Sequence, residues 1–151
     1  MDKDPRELVR SYLRDMRMMQ IATVRGDQPW ICTVYGIEDD NLNLYWLSFP
    51  TRRHSQEIAD GSKVAIAVPI KFDKPVIGIQ AEGEAREVAD PDVVKSVLDR
   101  YAERYNVGHD FYANYLAGVN KNKLYKFTPR AMVLFDEVTF PVGQGRKEIA
   151  L

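Results

Sequence analysis

Between residues 18 and 48 the chain alternates apolar runs with short polar breaks. The segment "MMQIATVRGDQPWICTVYGIEDDNLNLYWLSF" is interrupted at "RGDQP" and again at "EDDN", and the runs between them are rich in β-branched and aromatic side chains. Turn residues between such runs predict a three-strand meander. The same pattern places a fourth strand at "SKVAIAVPI", a fifth at "KPVIGIQAEGEAREVA" and a final strand or strand pair at "KLYKFTPRAMVLFDEV".

Helical spacing occurs in fewer places. Over residues 1–18, Asp4 is a cap, Pro5 suits the first turn, and Leu8, Tyr12, Leu13 and Met16 form an apolar stripe. In "DPDVVKSVLDRYAERYN", Asp90 caps, Pro91 starts, and Val94, Val97, Leu98 and Tyr101 share a face. Shorter helical pieces are expected at residues 52–60 and in "HDFYANYLAG", with His109 at the start of the latter, while residues 141–151 read as a mobile tail.

The second strand is apolar at both parities, with Trp30, Cys32 and Val34 on one face and Ile31, Tyr35 and Ile37 on the other. Strands of that kind are covered on both faces, here by helices or a second subunit. Six strands, mostly in hairpins, with few helices predict a single α+β, mainly β domain over residues 1–151, built on a small β-barrel.

Composition narrows the function classes. The 151 residues carry a net charge of −1, which argues against a nucleic-acid binder. One cysteine and two histidines make neither an internal disulfide nor a zinc site. No apolar run has the length of a membrane span, and the charged N-terminal segment lacks a signal-peptide core. A soluble, cytoplasmic protein is the expectation.

Chemistry gathers at one corner. In "SFPTRRHSQEI", Pro50 stops a strand and Thr51 is the expected N-cap of the helix that follows. Arg52, Arg53 and His54 then oppose the positive end of the helix dipole, a conflict that a bound anion resolves. Ser48 and Thr51 add hydroxyls, which together suit a phosphate monoester. The competing reading is a solvated basic turn with Arg52 or Arg53 paired to Glu57. In the fifth strand, Gly78, Gln80, Glu82 and Glu84 share the polar face, and Gln80 offers a donor and an acceptor to a planar heterocycle; an ordinary solvent face ending in a bulge at Gly83 is the alternative. Thr33 and Cys32 sit in a strand that also reads as plain core, as do Trp30, Tyr35 and Trp46.

The order of these features, from "IATVRGDQPWICTVYGIEDDNLNLYWLSFPTRRHSQEI" through "KVAIAV" to "GIQAEGEA", resembles the pyridoxamine 5'-phosphate oxidase-like flavoproteins, the FMN-binding split barrels. The resemblance covers roughly residues 15 to 90 and extends more loosely to "LYKFTPRAMVLF". It implies a six-stranded split β-barrel, a homodimer and FMN at the subunit interface. The flavin ring would lie along Ile31, Cys32, Thr33 and Val34, with Leu47 and Ser48 from the third strand. Arg53 and His54 would take the basic positions on the phosphate, with Thr51 and Arg52 beside them, and Gln80 would face the ring from the partner subunit. The resemblance stops short of vitamin B6 oxidation, because the segment after Trp46 has no tryptophan and ends "VGQGRKEIAL". It implies an FMN-dependent oxidoreductase passing a hydride between flavin and NAD(P)H or a small organic substrate. The alternatives are a non-catalytic flavin-storage module and an F420-dependent reductase on the same fold. Haem is disfavoured, since no histidine falls on an apolar strand face, and no catalytic residue or metal ligand is assigned.

Overall fold

A computed structural model describes residues 3–59 and 62–151. The ends of two expected helices, at residues 1–2 and at residue 60, lie outside the described residues. The first helix, α1 (Pro5–Arg14), begins as its sequence dictates: the Asp4 carboxylate accepts a hydrogen bond from the Arg6 amide at 3.0 Å, and Pro5 takes the first turn, where no N–H is needed. Val9 and Leu13 are fully buried, and Leu8 and Tyr12 pack beside them.

The expected meander follows as β1 (Met18–Arg25), β2 (Gln28–Glu38) and β3 (Leu44–Ser48). Arg25 pairs with Gln28, so Gly26 and Asp27 make a two-residue turn, and Gly26 takes the positive φ of 63° that this turn needs. Then come α2 (Arg53–Glu57), β4 (Ser62–Lys71), β5 (Ile77–Glu87), α3 (Pro91–Tyr105), α4 (Phe111–Leu116), β6 (Lys123–Asp136) and β7 (Arg146–Glu148). All neighbours are antiparallel, in the order β3-β2-β1-β4-β5-β6-β7. A further pairing, from Leu44 with Phe127 to Ser48 with Lys123, joins β3 to β6 and turns six of the strands into a ring. This is the split-barrel architecture. The closing segment is one strand of 14 residues rather than a pair, long enough to meet β5, β3 and β7.

The tail expected at residues 141–151 is a correction. Residues 146–148 form β7, a seventh strand, against Val133–Phe135, and Ile149 is buried in the core. The apolar residues of "RKEIAL" fall in one run at its end and give no strand period, and the strand's partner lies elsewhere in the chain.

Inside the ring, Met19, Ile21, Ile66, Ile79, Phe127 and Leu134 alternate inward, and Trp46 stacks on Tyr125 with ring centres 5.8 Å apart. Trp46 is core, as the sequence suggested. Two other aromatics are not: Trp30 is 43% and Tyr35 54% exposed. Trp30 sits near the open end of β2, and Tyr35 points outward, where its alternation puts it.

The outer face is half covered. Val94, Val97 and Leu98 of α3 pack on Ile37, Tyr45 and Leu124, and Arg100 and Arg104 each reach the Glu38 carboxylate at 2.8 Å. The helix thereby covers one end of β2 and leaves Ile31, Tyr35, Met18 and Phe135 open. At Gly83 the β5–β6 register shifts, and a β-carbon there would lie 2.1 Å from the Thr128 carbonyl oxygen. The expected bulge is present, and its glycine answers a close backbone approach.

Candidate functional site

The corner after β3 is built by a turn and a short helix. The Arg52 amide bonds the Phe49 carbonyl at 3.1 Å, and α2 begins one residue later than the sequence suggested. Arg52 therefore occupies the N-cap position, with no side-chain cap bond. Thr51, the expected cap, falls one residue too early for its hydroxyl to reach the helix amides, and lines an adjoining cavity instead.

The three basic side chains diverge. Arg53 turns away: its Nε donates to Glu57 at 2.9 Å, and its guanidinium lies 4.5 Å from the centre of the Trp30 ring. The Glu57 side chain is buried and also accepts from the Thr23 hydroxyl, with Arg25 at 3.6 Å. Burial pushes the Glu57 carboxyl up, but the Thr23 hydroxyl and the two arginines outweigh it and hold the group below its usual range. The Arg53–Glu57 pair weighed from the sequence is thus formed, and Arg53 belongs to a structural cluster.

His54 turns the other way. It is buried, and its Nε2 lies 2.7 Å from the hydroxyl of buried Ser48. Burial, and then the charge of Arg52, depress its pKa below the ordinary 6.5, with Glu57 partly opposing. With the proton on Nε2, the ring donates to Ser48 and frees the hydroxyl proton for an anion. Arg52 and His54 line a cavity of about 280 Å³ together with Thr33, Val34, Leu47 and Ser48. Tyr35, Phe49 and Asn122 complete it, and its lining holds no carboxylate among the described residues.

Six of the proposed cofactor contacts therefore meet at one place: Thr33, Val34, Leu47, Ser48, Arg52 and His54. Five do not. Ile31 is on the open outer face, Cys32 packs half-buried against the core, and Arg53 and Thr51 are diverted as described. Burial pushes the Cys32 thiol up to about 11, so it is no thiolate nucleophile. Gln80 is exposed on β5, in a cross-strand row running Thr33, Gln20, Ala67, Gln80. Three strand spacings of about 4.8 Å put it roughly 14 Å from Thr33 within one chain. Asn122 was not legible in the sequence, because it enters from the α4–β6 loop, 68 residues beyond His54; Phe49 carried a signal only as part of the quoted corner.

An arginine, a histidine–serine pair, a carboxamide and the edge of an apolar strand fit the phosphate and ribityl end of a flavin mononucleotide. No group of acidic, histidine or cysteine side chains placed to hold a metal occurs among the described residues, and no helix among them is long and apolar enough to cross a membrane.

Comparison with known proteins agrees with this class of fold. The family model described as pyridoxamine 5'-phosphate oxidase matches residues 5–136. The chain belongs to that family. Among solved structures, a conserved hypothetical protein from Mycobacterium tuberculosis aligns at 15% identity with a TM-score of 0.74, over 96% of this chain and 91% of that one. A FAD-binding protein from Mesorhizobium loti aligns at 16% identity and TM-score 0.61, over 86% and 92%. The haem storage protein HutZ from Vibrio cholerae aligns at 14% and 0.66, over 86% and 94%. At these identities the likeness is one of fold. No curated protein matches the chain at a significant level.

Proposed function

We propose that the chain is an FMN-binding oxidoreductase that works as a homodimer. The observation that carries this reading is the meeting of Arg52, the His54–Ser48 pair and Asn122 in one acid-free cavity beside Thr33 and Val34. Family membership and the printed description of a similar fold as FAD-binding support a flavin.

In this reading Arg52 holds the phosphate by charge, the Ser48 hydroxyl donates to it, and His54 orients that hydroxyl. The strand segment at Thr33 and Val34 lies along the ring. Bound flavin supplies hydride transfer at N5, so the protein's part is to position the reactants and exclude water. The second subunit completes the site. Met18, Ile31, Tyr35 and Phe135, exposed on the outer face, are the surface that it buries, and Gln80 reaches the ring across that interface.

Purified protein carrying the visible band of oxidised flavin, bleached by NADH or NADPH at a turnover-compatible rate, is the expected result. Binding of flavin without reduction by any reductant in a panel would favour a storage module. Preference for F420 over FMN in the same binding assay would reassign the cofactor. Failure to bind either would sink the reading.

A further inference from the structure

The basic corner does not end at Arg52. Its guanidinium lies 5.4 Å from the centre of the Phe49 ring, and Phe49 also lines a second cavity, of about 540 Å³, with Tyr115, Asn120, Lys121 and Lys123. That volume falls within the roughly 300–1,000 Å³ of ordinary ligand sites. The two cavities share more than a wall. Asn120, in the second, accepts from both the backbone and the side-chain amide of Asn122, in the first, at 2.9 and 2.8 Å.

The loop that carries these residues is held in place. Gly118, at φ 72°, turns the chain after α4, and the amides of Val119 and Asn120 both bond the Asn114 carbonyl at 3.0 Å. Donors are left over. The Asn120 side-chain NH₂ makes no hydrogen bond among the described residues, and neither Lys121 nor Lys123 makes an ion pair among them. The Tyr115 oxygen accepts from the Leu124 amide at 3.1 Å, which leaves its proton to donate. No carboxylate among the described residues lines the cavity. Glu87 is near enough to push the Tyr115 hydroxyl up, after burial, but stands outside the lining.

We propose that this second cavity is a subsite for an adenosine phosphate, abutting the flavin phosphate. Two aromatic side chains suit a purine, since bases stack on aromatic rings without regard to sequence. The free carboxamide NH₂ and the tyrosine proton suit its ring nitrogens, and the two ammonium groups suit a phosphate. The chemistry has two sources. One is the adenylate half of FAD, whose two phosphates are joined directly and so need adjacent sites. The other is the adenylate of a nicotinamide dinucleotide donor. The inference rests on the flavin reading only for what fills the first cavity.

The test is equilibrium binding of AMP, riboflavin, FMN, FAD and NADPH to the full chain and to a Lys121→Ala/Lys123→Ala variant, whose changes fall on exposed side chains outside the flavin cavity. AMP should bind and lose about ten-fold or more in affinity in the variant, as expected for lost charge-assisted bonds. FMN should change by less than about three-fold. FAD binding at least about ten-fold tighter than FMN, with that advantage gone in the variant, assigns the subsite to FAD. Equal FAD and FMN affinity, with NADPH weakened in the variant, assigns it to the electron donor. AMP affinity that is absent, or that the double variant leaves unchanged, overturns the proposal. Failure of the flavin reading would register separately, as FMN bound no more tightly than riboflavin while the AMP result stands.

Discussion

The Ser48 hydroxyl lies 2.7 Å from Nε2 of His54, tying the end of β3 to the first turn of α2. The neighbouring Arg53 is tied elsewhere, to Glu57. The two basic residues are adjacent in sequence, yet one belongs to the cavity and the other to the scaffold. Arg52→Ala should therefore weaken FMN binding by about ten- to a hundred-fold, the worth of a charge-assisted bond of roughly 1.5–3 kcal/mol, and leave riboflavin nearly untouched. Arg53→Ala should leave the ratio of FMN to riboflavin affinity unchanged and lower the melting temperature instead. Titrating both flavins into both variants decides it; a ratio that collapses in Arg53→Ala would move the phosphate to the other arginine.

His54 adds a dependence on pH. In the free chain its pKa lies below the unfolded value of 6.5, because burial and Arg52 disfavour the charged form. Its contribution to stability is therefore complete above pH 6.5 and is lost as pH falls from there towards the folded-state pKa. A bound phosphate reverses the sign by raising the pKa, so FMN affinity should gain from the imidazolium at low pH and lose that gain as pH rises through the bound-state value. Affinity profiles of wild type and His54→Gln, compared at each pH, isolate the histidine from the phosphate's own titration. Parallel profiles would remove His54 from phosphate binding.

The proposed dimer would bury the open outer face. Ile31 is 62% exposed in a single chain, and Ile31→Lys should place a charge in an interface of obligate size, well above roughly 1,600 Å². Sedimentation at micromolar concentration should show a dimer for wild type and a shift to monomer for the variant. A monodisperse wild-type monomer would refute the assembly.

The role proposed for Gln80 depends on that assembly. Gln80→Leu should shift the flavin spectrum and reduction potential while leaving most of the affinity, since one neutral hydrogen bond is worth about 1 kcal/mol. Because Gln80 is roughly 14 Å from Thr33 in its own chain, the monomeric Ile31→Lys variant should show no spectral response to the same change. A response there would place Gln80 beside its own chain's flavin.

Gly83 tests the barrel itself. A β-carbon 2.1 Å from the Thr128 oxygen meets backbone, which cannot rotate away. Gly83→Ala should cost about 2 kcal/mol, or roughly 6 °C in melting temperature. Gly78→Ala is the control: its β-carbon meets only the Val68 oxygen at 3.8 Å, and its melting temperature should stay near wild type.

Local signals were legible where local chemistry decides structure. Asp4–Pro5 and Asp90–Pro91 cap and start helices wherever the fold puts them, and Gly26–Asp27 turns a hairpin through its own φ. What the sequence concealed depended on partners far along the chain. Thr51 lost its cap role to a turn closed by Phe49. Arg53 was claimed by a glutamate already held by Thr23. Asn122 reached the cavity only because β6 pairs with β3, and β7 exists only because β6 offers it an edge. Tyr35 and Trp30 carried the hydrophobicity of core residues, and no periodicity within β2 distinguishes a face buried by the same chain from one left for another molecule.

The short β7 has a consequence for solubility. Beyond Phe127 the long β6 has no further pairing with β3, so its far end would present a row of unpaired amides and carbonyls beside Val133, Leu134 and Phe135. Such an edge is a template for strand addition by other molecules. Three charged residues, Arg146, Lys147 and Glu148, occupy that ladder; Arg146 and Glu148 are exposed, and the Lys147 ammonium lies 4.6 Å from the centre of the Phe140 ring. They act as a gatekeeper, and a chain stripped of them would carry its aggregation hazard on the very strand that closes the ring.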